Sequence, residues 1–326
     1  NFIGTNAAGT AEIGNRDCGL IITSAPFTDN LIGGNLAGAG NLISGNSRGV
    51  SIQGLAPWNT IQGNLIGTDI TGTKKIPNGV GIQAEAPNSL VGGPTPAARN
   101  LISGNGTGVV IGREGSKLQG NFIGTDITGT SALGNTFEGV IADNGALIGG
   151  TISGARNVVA GNELSNISLA LNSFGPGVTV QGNFIGTDVS GDRAISAFPI
   201  GAGIAISGSN NLIGGLAPEA RNIISGNVVG IRLRSANVGS PQENLIQGNL
   251  IGLNAAGTGP LPNTQNGVEF LQGSNNILGG TQSGAANKIA FNRMHGVTVS
   301  PLSSQNSIRG NSIFSNDGLG IDLGAN

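Results

Sequence analysis

One residue returns along this chain at intervals that a globular core does not need. Asn-(Phe/Leu)-Ile-Gly begins at Asn1, Asn64, Asn121, Asn183 and Asn249, with a degenerate copy at Asn311. The spacings are 63, 57, 62, 66 and 62 residues. Between these copies, Asn followed by a mostly apolar pair begins at Asn41, Asn100, Asn157, Asn222 and Asn287. The merged series has eleven members, so each large repeat holds two units of roughly 30 residues. A unit that short cannot bury an apolar face alone. It must stack on its neighbours, which makes the chain a solenoid.

Two further markers keep the same count. Segments of the type Gly-(Val/Ile)-x-apolar fall once per unit, as in Gly49–Ile52, Gly79–Ile82, Gly108–Ile111 and Gly230–Leu233. One unit departs and carries Asn166–Leu169 in that place. A third marker, seen at Asn30–Gly34, Asn59–Gly63 and Asn211–Gly215, precedes the Asn series. Each apolar segment is four to six residues long and rich in Val and Ile, which suits strands and not helices. In Gly-Val-x-Ile the Val and Ile share one face. The residue between them (Ser51, Gly81, Arg232, Glu269) faces the other way. Three short strands per coil, like stacked on like, describe an all-β fold: a right-handed parallel β-helix of about eleven coils. Residues 1–326 are expected to form one such domain. At the usual strand spacing the rod is ~50 Å long. The corner Asn side chains are expected to bond to the Asn above and below, as in stacked ladders, and the neighbouring Gly to take the positive-φ bend.

Composition excludes several classes. Gly and Pro (60 and 13 of 326 residues) approach a low-complexity level, but 37% hydrophobic and 10% charged residues are the reverse of a disordered balance. The net charge is −2, the basic residues are scattered, Tyr is absent and Trp58 is the only Trp. That argues against nucleic-acid binding. No apolar run approaches 18 residues, so no membrane insertion is expected. Cys18 is the only cysteine and has no internal disulfide partner. The pattern is in register at both ends without an evident cap, which predicts a longer array or a filament.

The strings Asn-Leu-Ile-Gly-Thr-Asp-x-x-Gly-Thr (from Asn64) and Asn-Leu-Ile-Ser-Gly-Asn-x-x-Gly-Val (from Asn41) resemble the right-handed parallel β-helix repeats of large secreted bacterial surface proteins. The resemblance covers nearly the whole chain. It implies the fold and an extracellular setting, and it implies no single activity. Polysaccharide lyases and pectin hydrolases share the fold, so an enzyme has to be tested against the residues.

The best acidic column is Asp69, Asp126 and Asp188, from the Ile-Gly-Thr-Asp strings. Paired glycosidase carboxylates stand about 5–5.5 or 6.5–9.5 Å apart. Residues two coils apart are ~9–10 Å apart. The first and fifth copies carry Asn6 and Asn254 in the same place. Asn replaces Asp in an Asx-type turn but not in proton transfer, so the turn reading is preferred and no catalytic residue is assigned. A calcium ion needs six to eight oxygens. Each Asp loop offers one or two carboxylates, and Asp188 with Asp192 comes nearest. No cofactor is expected; calcium at Asp69, Asp126, Asp188 and Asp192 is the alternative.

The remaining singled-out residues receive structural readings. His295, the only histidine, reads as a surface turn residue. Arg232 and Arg234 with Glu269 on the next coil read as a surface ion pair. Arg99, Arg156 and Arg221 precede three corner Asn residues and read as anchors to nearby carbonyls rather than an anion-binding column. Cys18 reads as a packed thiol, and Trp58 as a cover over the rod rather than a sugar contact. The apolar residues after the corner Asn (Phe2, Leu42, Leu101, Phe122, Phe184) read as turned inward or covered by loops, not as a lateral contact stripe. An extracellular structural protein that self-associates head to tail, and not an enzyme, fits these readings. A carbohydrate-binding adhesin module, or a polysaccharide lyase or hydrolase, is the alternative, with polysaccharide as the partner.

Overall fold

The computed structural model describes residues 1–23, 27–169, 176–195, 201–235 and 239–324. Among these the chain winds through three long parallel sheets, two of eleven strands and one of ten, with a short parallel pair of Gly273–Ser274 and Ser303–Ser304 beside them. A corner sheet runs from Phe2–Ile3 through Leu42–Ile43 and Leu65–Ile66 to Ser312–Phe314. A long sheet runs from Cys18–Ile22 through Arg48–Ile52 and Val80–Ala84 to Ile321–Asp322. A third sheet runs from Leu31–Gly33 and Thr60–Gln62 to Ser307–Arg309. Each strand pairs with its counterpart one coil on, so the fold is a right-handed parallel β-helix of about eleven coils built on three short strands, the third sheet having one strand fewer among the described residues. The Val, Ile and Leu of the three sheets meet in one continuous core along the axis.

The asparagines do what the spacing predicts, and more. At the corner sheet each Asn Nδ2 donates to the Oδ1 of the next coil's Asn, from Asn1 to Asn41 and without interruption to Asn311. The Oδ1 also accepts a backbone amide one coil below, as from Asn64 to Asn100 at 3.0 Å. The Nδ2 also reaches backbone carbonyls, as from Asn121 to Val91 and Gln119, both at 3.0 Å. A fully buried amide is thereby satisfied on every side, which the low-dielectric interior demands.

A second ladder runs beside the long sheet through Asn15, Asn46, Asn78, Asn105, Asn135 and Asn162. It resumes through Asn227, Asn263, Asn292 and Asn316. The glycine that opens each long strand packs against it: a Cβ on Gly81 would lie 3.0 Å from Asn105 Nδ2, and one on Gly49 3.2 Å from Asn78 Nδ2. This explains the unit that departed. After Ile195 the sequence reads Ser196-Ala197, where other coils read Ile76-Pro77-Asn78 or Leu261-Pro262-Asn263. In the adjoining coil Asn166 stands in place of the glycine. Its side chain takes the missing rung, accepting from Asn162 at 2.9 Å and donating to Asn227 at 2.8 Å.

The glycine contacts also correct one expected segment. The strand read as Gly79–Ile82 is slipped by two residues, because Gly81 and not Gly79 stands opposite Gly49, with Val50 paired to Ile82. A slip of two keeps the inward and outward faces, so alternation alone did not reveal it. The outward residue of that coil is Gln83, paired with Ser51, and not Gly81.

Loops cover the apolar column that follows the corner Asn. Leu101, Phe122, Val158, Phe184, Ile223 and Leu250 are buried in a second, smaller core outside the corner sheet. The loops beginning at Asn6, Asp69, Asp126, Asp188 and Asn254 lie over it and stack on one another. Ile70 N donates to Gly9 O, Ile127 N to Gly72 O, Val189 N to Gly129 O and Ala255 N to Gly191 O, at 2.9–3.0 Å. Phe2, in the first coil, stays 45% exposed.

Candidate functional site

The acidic column forms turns. Asp69 accepts from the Thr71 hydroxyl at 2.8 Å and from the Thr73 and Lys74 amides at 3.1 Å. Burial works to raise its carboxyl, but these hydrogen bonds outweigh it and hold the group below the usual carboxylate range. Asp188 is held low in the same way, by Ser190 and the amides of Arg193 and Asp192, against burial. Asp126 repeats the pattern with Thr128, Thr130 and Ser131. Asn6 and Asn254 accept from the equivalent amides of their own loops. Asp188 and Asp192 meet through the backbone N of Asp192, and the Asp192 side chain lies in an exposed stretch. The structure brings none of the four acids into a shared cluster: among the described residues no group of three His, Cys, Asp or Glu side chains converges on a point.

The basic residues are anchors. Arg99, Arg156 and Arg221 each donate Nε to a glycine carbonyl in the adjoining coil, Gly120, Gly182 and Gly248, at 2.9–3.1 Å. Arg99 and Arg156 also lie over the rings of Phe122 and Phe184, at 3.9 and 4.0 Å from the centroids, closing the loop-covered core. Arg232 and Glu269 pair at 2.6 Å across two coils, with Asn266 on the second carboxylate oxygen. His295 is more engaged than a free surface residue: its Nδ1 accepts from the Leu319 amide at 2.9 Å, and Nε2 lies 3.8 Å from Asp322. Cys18 is half-buried beside Asp17 and Arg48. Burial pushes its thiol up, against the Arg48 guanidinium beside it.

A cleft not legible in the repeat lies on the flank between the long and third sheets. It encloses about 950 Å³ and is lined by Gln53, Gln83, Glu85, Arg113, Glu114 and Asp143, among others. Gln53 donates to Gln83 Oε1 at 3.3 Å, and Gln83 in turn to Glu85. Glu85 and Asp143 stand two coils apart with Gly112 between them, and a Cβ on Gly112 would lie 2.0 Å from Asp143 Oδ1. The Asp143 carboxylate therefore lies over bare backbone. Burial, and then the charge of Glu85, push its carboxyl above the usual range. Trp58 stands one coil before Asn88, a lining residue, at the same corner position. Its amide donates to the carbonyl of Pro87, another lining residue, and Trp58 itself is 58% exposed.

No protein-family model matches the chain, and no curated protein sequence matches it. Among solved structures it is similar to the Dettilon tailspike protein, at 14% identity and a TM-score of 0.51, over 94% of this chain. The chain spans about 60% of that protein's length. PfbA, a surface adhesin of Streptococcus pneumoniae, aligns over 100% of this chain and 78% of its own, at 12% identity and a TM-score of 0.41. Sequence identity this low carries fold and no activity. What the chain shares with the tailspike protein is the right-handed parallel β-helix.

Proposed function

We propose that the chain is a rigid rod of an extracellular fibre, stalk or surface layer, lengthened by further coils stacked head to tail. The observation that carries this reading is the polarity of the corner ladder. Every Nδ2 points to the Oδ1 of the next coil, from Asn1 to Asn311. One end of such a ladder offers acceptors and the other donors, and all three sheets are parallel. Another coil of the same kind, from the same chain or from a second copy, fits only head to tail. The extracellular setting rests on the resemblance of the repeat strings to those of secreted surface proteins, and it agrees with a fold shared with a tailspike protein. Electron microscopy of the native, unconcentrated protein tests the reading. Filaments with an axial repeat near the rod length, ~50 Å per copy, are expected. Isolated short rods at every concentration, from a native chain that ends in dedicated capping segments, would overturn it.

A further inference from the structure

In a repeat protein the residues that break the repeat are the ones its architecture does not explain. Three such breaks meet at the cleft. The first is in the third corner. Asn30 and Asn59 form a ladder there, and Asn211, Asn244, Asn276 and Asn306 resume it. Between them the rungs are Ser89, Ser116, Ala146 and Val178, and the cleft lies over this interrupted stretch.

The second break is Trp58. Its φ is +65°, in the left-handed region. The equivalent corner position carries Asp29, Asn88, Gly115, Asn210, Glu243, Asn275 and Gln305, all at positive φ, so the corner imposes this backbone on whichever residue stands there. Trp58 is the one aromatic among these residues, and 58% of it stays exposed. What the repeat leaves unexplained is the residue type: an exposed indole where the other coils carry polar residues or glycine.

The third break is the lining. Gln53 and Gln83 supply amides that donate to and accept from hydroxyls, and Glu85 and Asp143 supply carboxylates that accept from them. Three acids against Arg113 leave the cleft negative. Asp143 already bears the field of Glu85, so a polyanion would be repelled. From Gln53 to Pro176 the cleft spans four coil steps, ~19 Å along the rod.

We propose that this cleft binds a glycan chain carrying no negative charge, with the Trp58 indole as the stacking platform at one end and the Gln83–Glu85–Asp143 groups reading its hydroxyls. The inference goes beyond the structural role and does not depend on it. The aromatic face covers the apolar side of a sugar ring and the polar lining holds its rim, the usual division of labour in a polar ligand site.

Trp58 is the only Trp and Tyr is absent, so intrinsic fluorescence reads this one site. The folded chain is titrated with uncharged hexaoses of glucose, mannose, galactose and N-acetylglucosamine, and with polygalacturonate as the anionic comparator. A saturable shift in emission with at least one uncharged hexaose, and none with polygalacturonate, is expected. Calorimetry then compares Trp58→Asn, the residue type the repeat itself uses at this place. The variant should keep the melting temperature and bind at least tenfold more weakly. Silence across the whole panel in both measurements overturns the proposal. So does binding that Trp58→Asn leaves unchanged, or tighter binding of polygalacturonate.

Discussion

Two corners of this rod carry asparagine and keep it differently. At the corner sheet the ladder is unbroken from Asn1 to Asn311, and its members from Asn64 to Asn287 are buried. At the third corner Asn holds only the two flanks, and Ser, Ala and Val take the centre. The difference lies in what the turn must do. The corner-sheet Asn stands between the third sheet and strands of two residues, such as Leu65–Ile66, and its amide is bonded to third-sheet carbonyls of its own coil and the adjoining one, as Asn64 is to Gln62 and Ile32. Little else fixes so tight a bend. The third corner leads into three-residue strands from a wider turn, and Ser89 meets the need with one bond to Ala86 O at 2.8 Å. A corner that tolerates substitution is where a cleft can open without unwinding the rod.

Stability measurements can break or sharpen this contrast. Asn121→Ser should be the most damaging change, because it strands the donors of Asn100 and two carbonyls. A loss of about 3 kcal/mol in chemical denaturation is expected. Asn166→Gly restores the usual residue at that strand position but removes the substitute rung. It should cost about 2 kcal/mol, because Asn162 and Asn227 lose their partner. Asn59→Ser copies the central coils into a flank of the third corner and should cost only about 1 kcal/mol. A cost equal to that of Asn121→Ser would show the two corners to be equivalent.

The smallest effects depend on pH and have opposite signs. Asp188 titrates below its unfolded value, so its charge stabilises the fold above that value, and the gain is lost as pH falls through the folded one. Asp143 titrates above its unfolded value, so its charge destabilises the fold at neutral pH, and acidification relieves this. Asp188→Asn should therefore lower the melting temperature at pH 7, and Asp143→Asn should raise it, each by no more than about 2 °C. The Asp143 difference should vanish below the unfolded carboxylate value, and the Asp188 difference only after the pH has passed its lower folded value. Equal signs at pH 7 would contradict the two environments.

The coil count, the three strands and the corner ladder were legible because each is a residue type repeated at a fixed place. The covered apolar column, the Asp turns and the Arg anchors followed for the same reason: Asn6 and Asn254 showed that charge was dispensable in the loops. What escaped was single. The slip at Gly79–Ile82 hid Gln83, since alternation is blind to a shift of two; counting three or four residues from the second-ladder Asn to its glycine would have found it. Asn166 looked like a defect because its compensation lies in the adjoining coil. The cleft residues come from turns of several coils, and their convergence depends on how far each turn projects, which no spacing encodes. Trp58 was read as a cover, and the left-handed backbone beneath it was not foreseen.

The loops that stack every second coil set a quantum of length. Each of the loops begun at Asn6, Asp69, Asp126 and Asp188 supports the next, and each covers residues such as Leu101 or Phe122 on either side of its own coil. Removing one coil would leave two loops competing for one height and part of the outer core bare. Removing or duplicating a pair, about 62 residues, leaves every neighbour as it was. The double coil is therefore the step by which such a rod can be lengthened or shortened with its outer core intact.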